Sequence, residues 1–402
     1  MLRSLFSGIS GLKAHQQMLD VVSNNIANVN TTGFKSSNTV FEDTLSQLLR
    51  PAGASTDTSG GLDPTQIGLG VKLAAVQQNF EQGSTQITNK ATDIMVNGDG
   101  FFVLDAGGQQ VYSRAGAFTL DNDGYLVNPD GAYVQGYAAT NGVISAYGQL
   151  SKLQLQAGLS IPGKATTTVA VGGNLDPTGT RTLTNTPTVY DQGGAAYAVP
   201  IQYVPADPPD GTYTINVLDP ADKTTVLATG NVGFDASGQF DPASSTNPIT
   251  FTVNGVSMDL DLRQLTGYAG LSSPTPKTVD GYAAGTLREF QIGTDGIITG
   301  IFSNSQKQAL GQLALATFNN VNGLEKQGNS VYRDTANSGL PEIGIPGAGG
   351  HGTITGGALE MSNVDLAAEF TNMIIAQRGF QANSKVITTS DDILQELVNI
   401  KR

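Results

Sequence analysis

The two ends of this chain carry matching seven-residue apolar stripes, and the residues between them do not. At the front Leu5, Leu12, Leu19 and Ile26 recur every seven positions, with Leu2 and Ile9 on the interleaved register. At the back Leu366, Met373, Phe380, Ile387 and Leu394 do the same, with Phe370 and Val398 interleaved. A sustained heptad is the seam of a helix that packs lengthwise on another helix. Two such helices at opposite ends form a coaxial pair only if the chain goes out and returns. A lone pair has too little core to cover its stripes, so these helices need neighbours. Both ends are therefore expected to be largely disordered until the chain assembles.

Between the stripes the pattern is that of β-structure. From Val71 the alternation has period two, and Asp-Gly pairs at Asp99-Gly100, Asp123-Gly124 and Asp130-Gly131 fall between the runs as hairpin turns. Residues 146–284 differ in texture, with Thr-rich strand candidates such as TTTVAV, AVPIQYV, TYTINVL, ITFTVNG and VSMDLDL among Pro clusters. The expected fold is multidomain α+β: coiled-coil-like terminal helices around discontinuous, nested antiparallel β-domains of sandwich or barrel-like form. The expected layout is a helical domain (1–30 with 363–402), a connector (31–70), a discontinuous β-domain (71–145 with 285–362) and an inserted outer β-domain (146–284). The first helix is expected over 4–29, with Gly33 as its left-handed stop, and a short helix over Phe41–Leu49. The C-terminal helix is expected to be capped by Ser362 or Asn363. The loop at 50–66 reads as a compliant connector.

Composition narrows the function. Fifty Gly, 17 Pro and only 14% charged residues suit turn-rich β-domains. A net charge of −13 argues against nucleic acid as a partner. With no Cys there is no thiol nucleophile, thiolate metal site or disulfide. No run of about eighteen apolar residues marks a membrane span, so no membrane insertion is expected. The amphipathic N-terminus has no continuous apolar core, so a Sec-type signal is not expected.

Catalytic chemistry finds no foothold. His15 sits in a helix and His351 in a Gly-rich loop, neither with an evident acid–base partner. GLSIPGKAT (158–166) imitates a phosphate loop, but Ala165 stands where a hydroxyl would hold magnesium and a strand follows. Asp121, Asp123 and Gly124 evoke a calcium loop with its Gly misplaced; a hairpin turn explains them. No cofactor, metal or catalytic residue is assigned, and the chain is read as a non-enzyme. Asn24, Asn25, Asn28 and Asn30 form either a functional cluster or ordinary helix-end satisfaction. Gln16, Ser23, Gln377, Ser384 and Asp391 interrupt the stripes, either to set register or as solvated positions.

SGISGLKAHQQMLDVVSNNIANVNTTGFK (7–35) and GALEMSNVDLAAEFTNMIIAQRGFQANSKVITTSDDILQELVNIKR (357–402) resemble the two terminal signatures of the bacterial flagellar rod and hook axial family. DIMVNGDGFFVL, YSRAGAFTLDNDGYLVNPDG and GLEKQGNSVYRDT are also similar to that family. The resemblance covers roughly 1–145 and 285–402, and QRGFQANSK is closer to hook than to rod. The signature positions are Ser23, Asn24, Asn25, Ile26, Ala27, Asn28, Gly33, Phe34 and Lys35, then Ser362, Asn363, Val364, Asp365, Gln377 and Arg378. The resemblance implies an extracellular, self-assembling hook subunit that joins rod to filament as a bent tube and transmits torque as a universal joint. It implies export by the flagellar type III apparatus without a cleaved signal. The implied partners are many copies of itself, the distal rod protein, the hook cap protein and the hook–filament junction protein. The other readings are a distal rod protein, which would be shorter, and a secreted adhesin or carbohydrate-binding β-protein, which the missing Trp disfavours.

Overall fold

The computed structural model describes residues 2–53, 60–145, 148–156, 158–207 and 210–400, without the side chains of 2, 3, 397, 398 and 400. The chain begins with a helix, α1 (Leu2–Ala27), and ends with a longer one, α2 (Leu366–Ile400). α1 stops two residues before the expected end. The Asn28 amide N–H donates to the carbonyls of Asn24 (3.2 Å) and Asn25 (3.1 Å), and its side chain donates to the Asn24 carbonyl (2.9 Å). Those bonds close the last turn. Gly33 is left-handed (φ +67°), yet it is not the helix stop. A Cβ there would lie 2.5 Å from the Ala115 nitrogen, so its role is close approach to the β-structure. The start of α2 also differs from expectation. Asp365 is the cap, its Oδ1 accepting from the amides of Ala367 (2.8 Å) and Ala368 (3.3 Å), which leaves Asn363 free for a different task.

The helix expected over Phe41–Leu49 is absent. Ser37–Asp43 and Ser46–Arg50 are strands, paired antiparallel with Val71–Gln78 and Thr65–Gly68. Phe41, Leu45, Leu48 and Leu49 have helical spacing, but the paired strands satisfy the backbone and override that local preference. The loop at 50–66 is largely the tip of this second hairpin, with Gly53 and Leu62 bridged. Its middle, 54–59, lies outside the described residues.

The chain divides into two compact units. One comprises Met1–Gln156, Gln291–Thr299 and Ala309–Arg402; the other comprises Ala157–Phe290 and Gly300–Gln308. In the first, Phe101–Ala106 pairs with Gln109–Ser113, Tyr133–Thr140 and Leu315–Thr317. Its core is aromatic: Phe101, Tyr112, Phe318 and Tyr332 pack largely edge-on, Tyr112 against Phe318 with ring centres 4.8 Å apart. Two of the three expected Asp-Gly hairpins are present. Gly124 (φ +80°) and Gly131 (φ +82°) supply left-handed corners whose amides are gathered by Asp121 and Asn128. Asp99-Gly100 is instead a corner between sheets, because Ile94–Asn97 pairs with Thr353–Gly356 and not with the strand that follows it.

The second unit is a β-sandwich, and no closed barrel forms. One sheet orders Ile249–Val253, Val256–Thr266, Thr168–Asn174 and Thr275–Val279; the other orders Leu183–Asn185, Ile201–Pro205, Tyr213–Leu218 and Val226–Val232. Val169, Val171, Leu260 and Leu262 from the first sheet share one core with Ile201, Tyr203, Ile215 and Val217 from the second. Not all of the pairing is antiparallel, which departs from the expectation. Thr168–Asn174 runs parallel to Val256–Thr266, because the chain builds the entire other sheet before returning.

Asp280 pins the first strand of the sandwich. Its carboxylate accepts from the amides of Thr167 (2.8 Å) and Thr168 (2.9 Å), the Thr167 hydroxyl (2.7 Å) and Lys164 Nζ (3.4 Å). Partial burial opposes ionisation, but these donors outweigh it and hold the carboxyl down from 3.8 to about 2. A depressed carboxyl contributes stability that is present above its unfolded value and lost as pH falls through the folded one. Asp280→Asn should therefore melt below the wild type at neutral pH, and the gap should close between pH 3.8 and about 2 in pH-dependent thermal melts.

Candidate assembly site

The two helices run antiparallel, with Gly8 against Ile387, Gly11 against Asn383, His15 against Gly379 and Asn25 against Glu369. The seam is built from small and polar residues. A Cβ on Gly11 would sit 2.8 Å from the Asn383 amide, and one on Gly379 2.5 Å from the His15 ring. Ala14, Val22, Asn25, Glu369, Ala376 and Ser390 are buried. Backbones approach closely where side chains are absent, so the pair closes without its large residues. In the single chain both ends are thus helical and paired.

The heptad residues flank this seam and do not form it. Leu5, Leu12, Leu19, Ile26, Met373, Phe380, Ile387 and Leu394 are half-buried, whereas Ile9, Leu366 and Phe370 are exposed. The Val398 side chain lies outside the described residues. Five more large apolar residues, which the heptad count missed, are also exposed on the helices: Phe6 (65%), Ile374 (58%), Ile375 (53%), Val386 and Ile393. The signal that locates the seam is the set Gly8, Gly11, Ala376 and Gly379, which the heptad reading passed over.

At the root of the pair the two terminal signatures meet in one polar joint. Asn25, fully buried, donates from Nδ2 to the Ser37 carbonyl (2.8 Å) and Glu369 Oε1 (3.0 Å), and accepts the Ser37 amide (3.0 Å). Burial pushes the Glu369 carboxyl up against the opposing pull of Asn25. Asn363 accepts the Ser36 amide (2.8 Å) and donates to the carbonyls of Asn79 (2.8 Å) and Glu81 (3.1 Å). Lys35, fully buried, donates to Glu360 Oε1 and the Glu81 carbonyl, both at 2.7 Å. Glu360 Oε1 also accepts the Gly83 amide (2.9 Å), and Arg114 Nε lies 4.0 Å from Oε2. Burial pulls Lys35 and Arg114 down, and Glu360 opposes it in both.

The remaining signature residues divide. Phe34 is buried beneath the Lys326 ammonium, 4.2 Å from its ring centre. Ser362 is buried and Val364 half-buried. Asn28 serves the helix end, as described. Ser23, Asn24, Ala27, Gln377 and Arg378 face solvent. The site is a buried polar joint beside helices with exposed apolar side chains, and among the described residues no cluster of metal-ligating side chains occurs.

Terminal helices joined at a polar root, carrying β-units between them, define the class of flagellar axial proteins, and the comparisons agree. Four family models match in succession: flagella basal body rod protein (5–35), flagellar hook protein FlgE/F/G D1 domain (95–175), flagellar basal body protein FlaE D2 domain (160–282) and flagellar basal body rod FlgEFG protein C-terminal (355–400). The flagellar hook protein FlgE of Borreliella burgdorferi is 38% identical over 443 residues, spanning 100% of both chains. That of Salmonella typhimurium is 36% identical over 426 residues, spanning 99% of this chain and 100% of its own. The chain belongs to the flagellar hook protein FlgE family. The crystal structure of Helicobacter pylori flagellar hook protein FlgE2 shares the fold, with a TM-score of 0.51 at 16% identity over 67% of this chain and 98% of that one.

The joint can be tested by magnitude. Removing one partner of a buried ion pair strands the other and costs about 3–5 kcal/mol, while an exposed pair contributes little. Lys35→Ala should lower stability by about that amount in urea denaturation. Lys72→Ala, which breaks a pair of similar length (2.6 Å) between exposed side chains, should leave the midpoint nearly unchanged.

Proposed function

We propose that this chain is a structural, non-catalytic subunit of the flagellar hook that polymerises through the outer faces of α1 and α2. The observation that carries the reading is the exposure of Phe6, Ile9, Leu366, Phe370, Ile374, Ile375, Val386 and Ile393 on helices already joined at their root. Full burial of such a side chain contributes roughly 1.5–3 kcal/mol, and covering the part of each still exposed supplies a fraction of that, which over eight residues favours assembly against the ordering costs. The half-buried heptad positions Leu5, Leu12, Leu19, Ile26, Met373, Phe380, Ile387 and Leu394 border those faces and would complete the contacts. Stacked helix pairs then make an inner tube. The β-units outside it, rich in Gly and Thr, form wet and individually weak contacts that let subunits change spacing as the tube bends.

The wider setting follows from the family. The chain would leave the cell unfolded through the flagellar type III apparatus. It would add beneath a cap protein and meet the distal rod protein at one end and the junction protein at the other.

The test is assembly. Phe370→Glu and Ile374→Glu should leave the monomer's melting temperature unchanged, since both residues are solvent-facing in the single chain. Both should abolish tube formation seen by negative-stain microscopy, with the cap protein supplied. Tubes of normal number and length from either variant would mean that the helix faces do not drive polymerisation.

A further inference from the structure

Asn followed by Gly is a thermolabile dipeptide, because glycine has no side chain to shield its amide nitrogen. That nitrogen attacks the Asn side-chain carbonyl carbon. A C–N bond forms, ammonia leaves and a five-membered succinimide closes. Water then opens the ring at either carbonyl, giving aspartate or isoaspartate, with no oxidant or reductant consumed. The chain has four such dipeptides, at Asn97-Gly98, Asn141-Gly142, Asn254-Gly255 and Asn322-Gly323. Their local chemistry is the same, so the fold decides which of them reacts.

Three of the four are held. Asn97 donates from Nδ2 to Thr355 Oγ1 (2.6 Å) and accepts from Gln82 Nε2 (3.1 Å), while the Gly98 amide donates to Gln82 Oε1 (3.1 Å). Asn254 donates from Nδ2 to Asp191 Oδ2 and to the Tyr197 hydroxyl, both at 3.0 Å. Asn322 lies in a single 3-10 turn, where the Gly323 amide donates to the Asn320 carbonyl (3.1 Å). A Cβ on Gly323 would sit 2.7 Å from the Ser338 nitrogen, so that backbone is packed in place.

Asn141 is held by nothing comparable. With Gly142 it makes the two-residue turn between Tyr133–Thr140 and Val143–Ile144, both residues left-handed (φ +52° and +80°). Asn141 is exposed, and neither its side chain nor the Gly142 N–H has a hydrogen-bond partner among the described residues. The hairpin is only two pairs long, Ala139 with Ile144 and Thr140 with Val143, and Val143 is 72% exposed. Ring closure requires the Asn141 backbone to rotate out of its left-handed well, so it proceeds from the opened hairpin. Opening two pairs costs far less than opening the ladder behind Asn254, which buries Ile249, Phe251 and Val253.

We propose that Asn141 is a self-modification site of the folded chain, converting through the succinimide to aspartate and isoaspartate ahead of the other three. Each conversion adds one negative charge to a chain that carries −13. Aspartate visits the left-handed region as asparagine does, so that product keeps the hairpin. Isoaspartate routes the main chain through the side-chain carbon. Its extra methylene breaks the two-residue turn on which the pairing of Thr140 with Val143 depends. The turn thus records the age of the chain.

The full-length chain is aged in mildly alkaline buffer, folded and in parallel in urea, and digested at intervals for mass spectrometry. In the folded chain, conversion at Asn141 should outrun that at Asn97, Asn254 and Asn322 by about tenfold or more, whereas in urea the four should convert at similar rates. Isoaspartyl methyltransferase labelling should appear in the peptide that holds residue 141. Asn141→Gln should remove it, since Gln must close a less favourable six-membered ring. Conversion of any other of the four as fast as Asn141 in the folded chain overturns the proposal. So does the same ranking in urea, because sequence and not fold would then make the choice. So does an unconverted Asn141 in the folded chain once the urea sample has reacted.

Discussion

The joint depends on a lysine and a glutamate buried together far from either end's helix tip. Lys35 and Glu360 are fully removed from solvent and 2.7 Å apart, and 325 residues separate them in sequence. Neither charge tolerates burial alone, so wherever one goes the other must follow. Their shared neighbours, the Glu81 carbonyl and the Gly83 amide, bring a third segment to the same point. With that closure made, Asn25 and Asn363 fall within reach of backbone that would otherwise be unpaired, and the roots of α1 and α2 are held together. A buried pair of this type contributes little net energy compared with apolar packing. What it adds is a penalty on any arrangement that buries one partner without the other.

Holding the helices at their root changes what the rest of their surface is for. Gly8, Gly11, Ala376 and Gly379 let the pair close on itself, so the large apolar side chains are not consumed within the chain. They remain available to neighbours. A chain that buried its Leu and Phe stripes internally would be a more stable monomer and a worse building block. The same division of labour appears in the β-sandwich, where a largely apolar interior sits beneath outer faces of Thr, Asn, Gln and Asp.

Much of the architecture was legible because it rests on local periodicity. Heptads at the ends, alternation between them and Gly at two hairpin corners each report one element's own geometry, and the structure has them. What was misread involves residues whose local preference lost to a distant partner. Phe41–Leu49 has helical spacing but pairs with Val71–Gln78 and Thr65–Gly68. Asn363 looks like a cap but spends both ends of its amide on Ser36, Asn79 and Glu81. Asp99-Gly100 looks like a hairpin but turns a corner between sheets. Of the candidate site, the signature residues were legible through resemblance, while the work of Asn25, Lys35 and Glu369 was not, since each of the three bonds a side chain more than three hundred residues away.

By itself the sequence determined that this chain would have helical ends, a turn-rich β body, no cysteine chemistry and an unsatisfied appetite for neighbours. Those are properties of residue type and spacing, and they hold whatever the chain packs against. Only the tertiary structure decided which helix face is spent internally and which is left open. That choice is made by backbone approach at four small residues and by a buried charge pair, and in both the partners come from opposite ends of the chain.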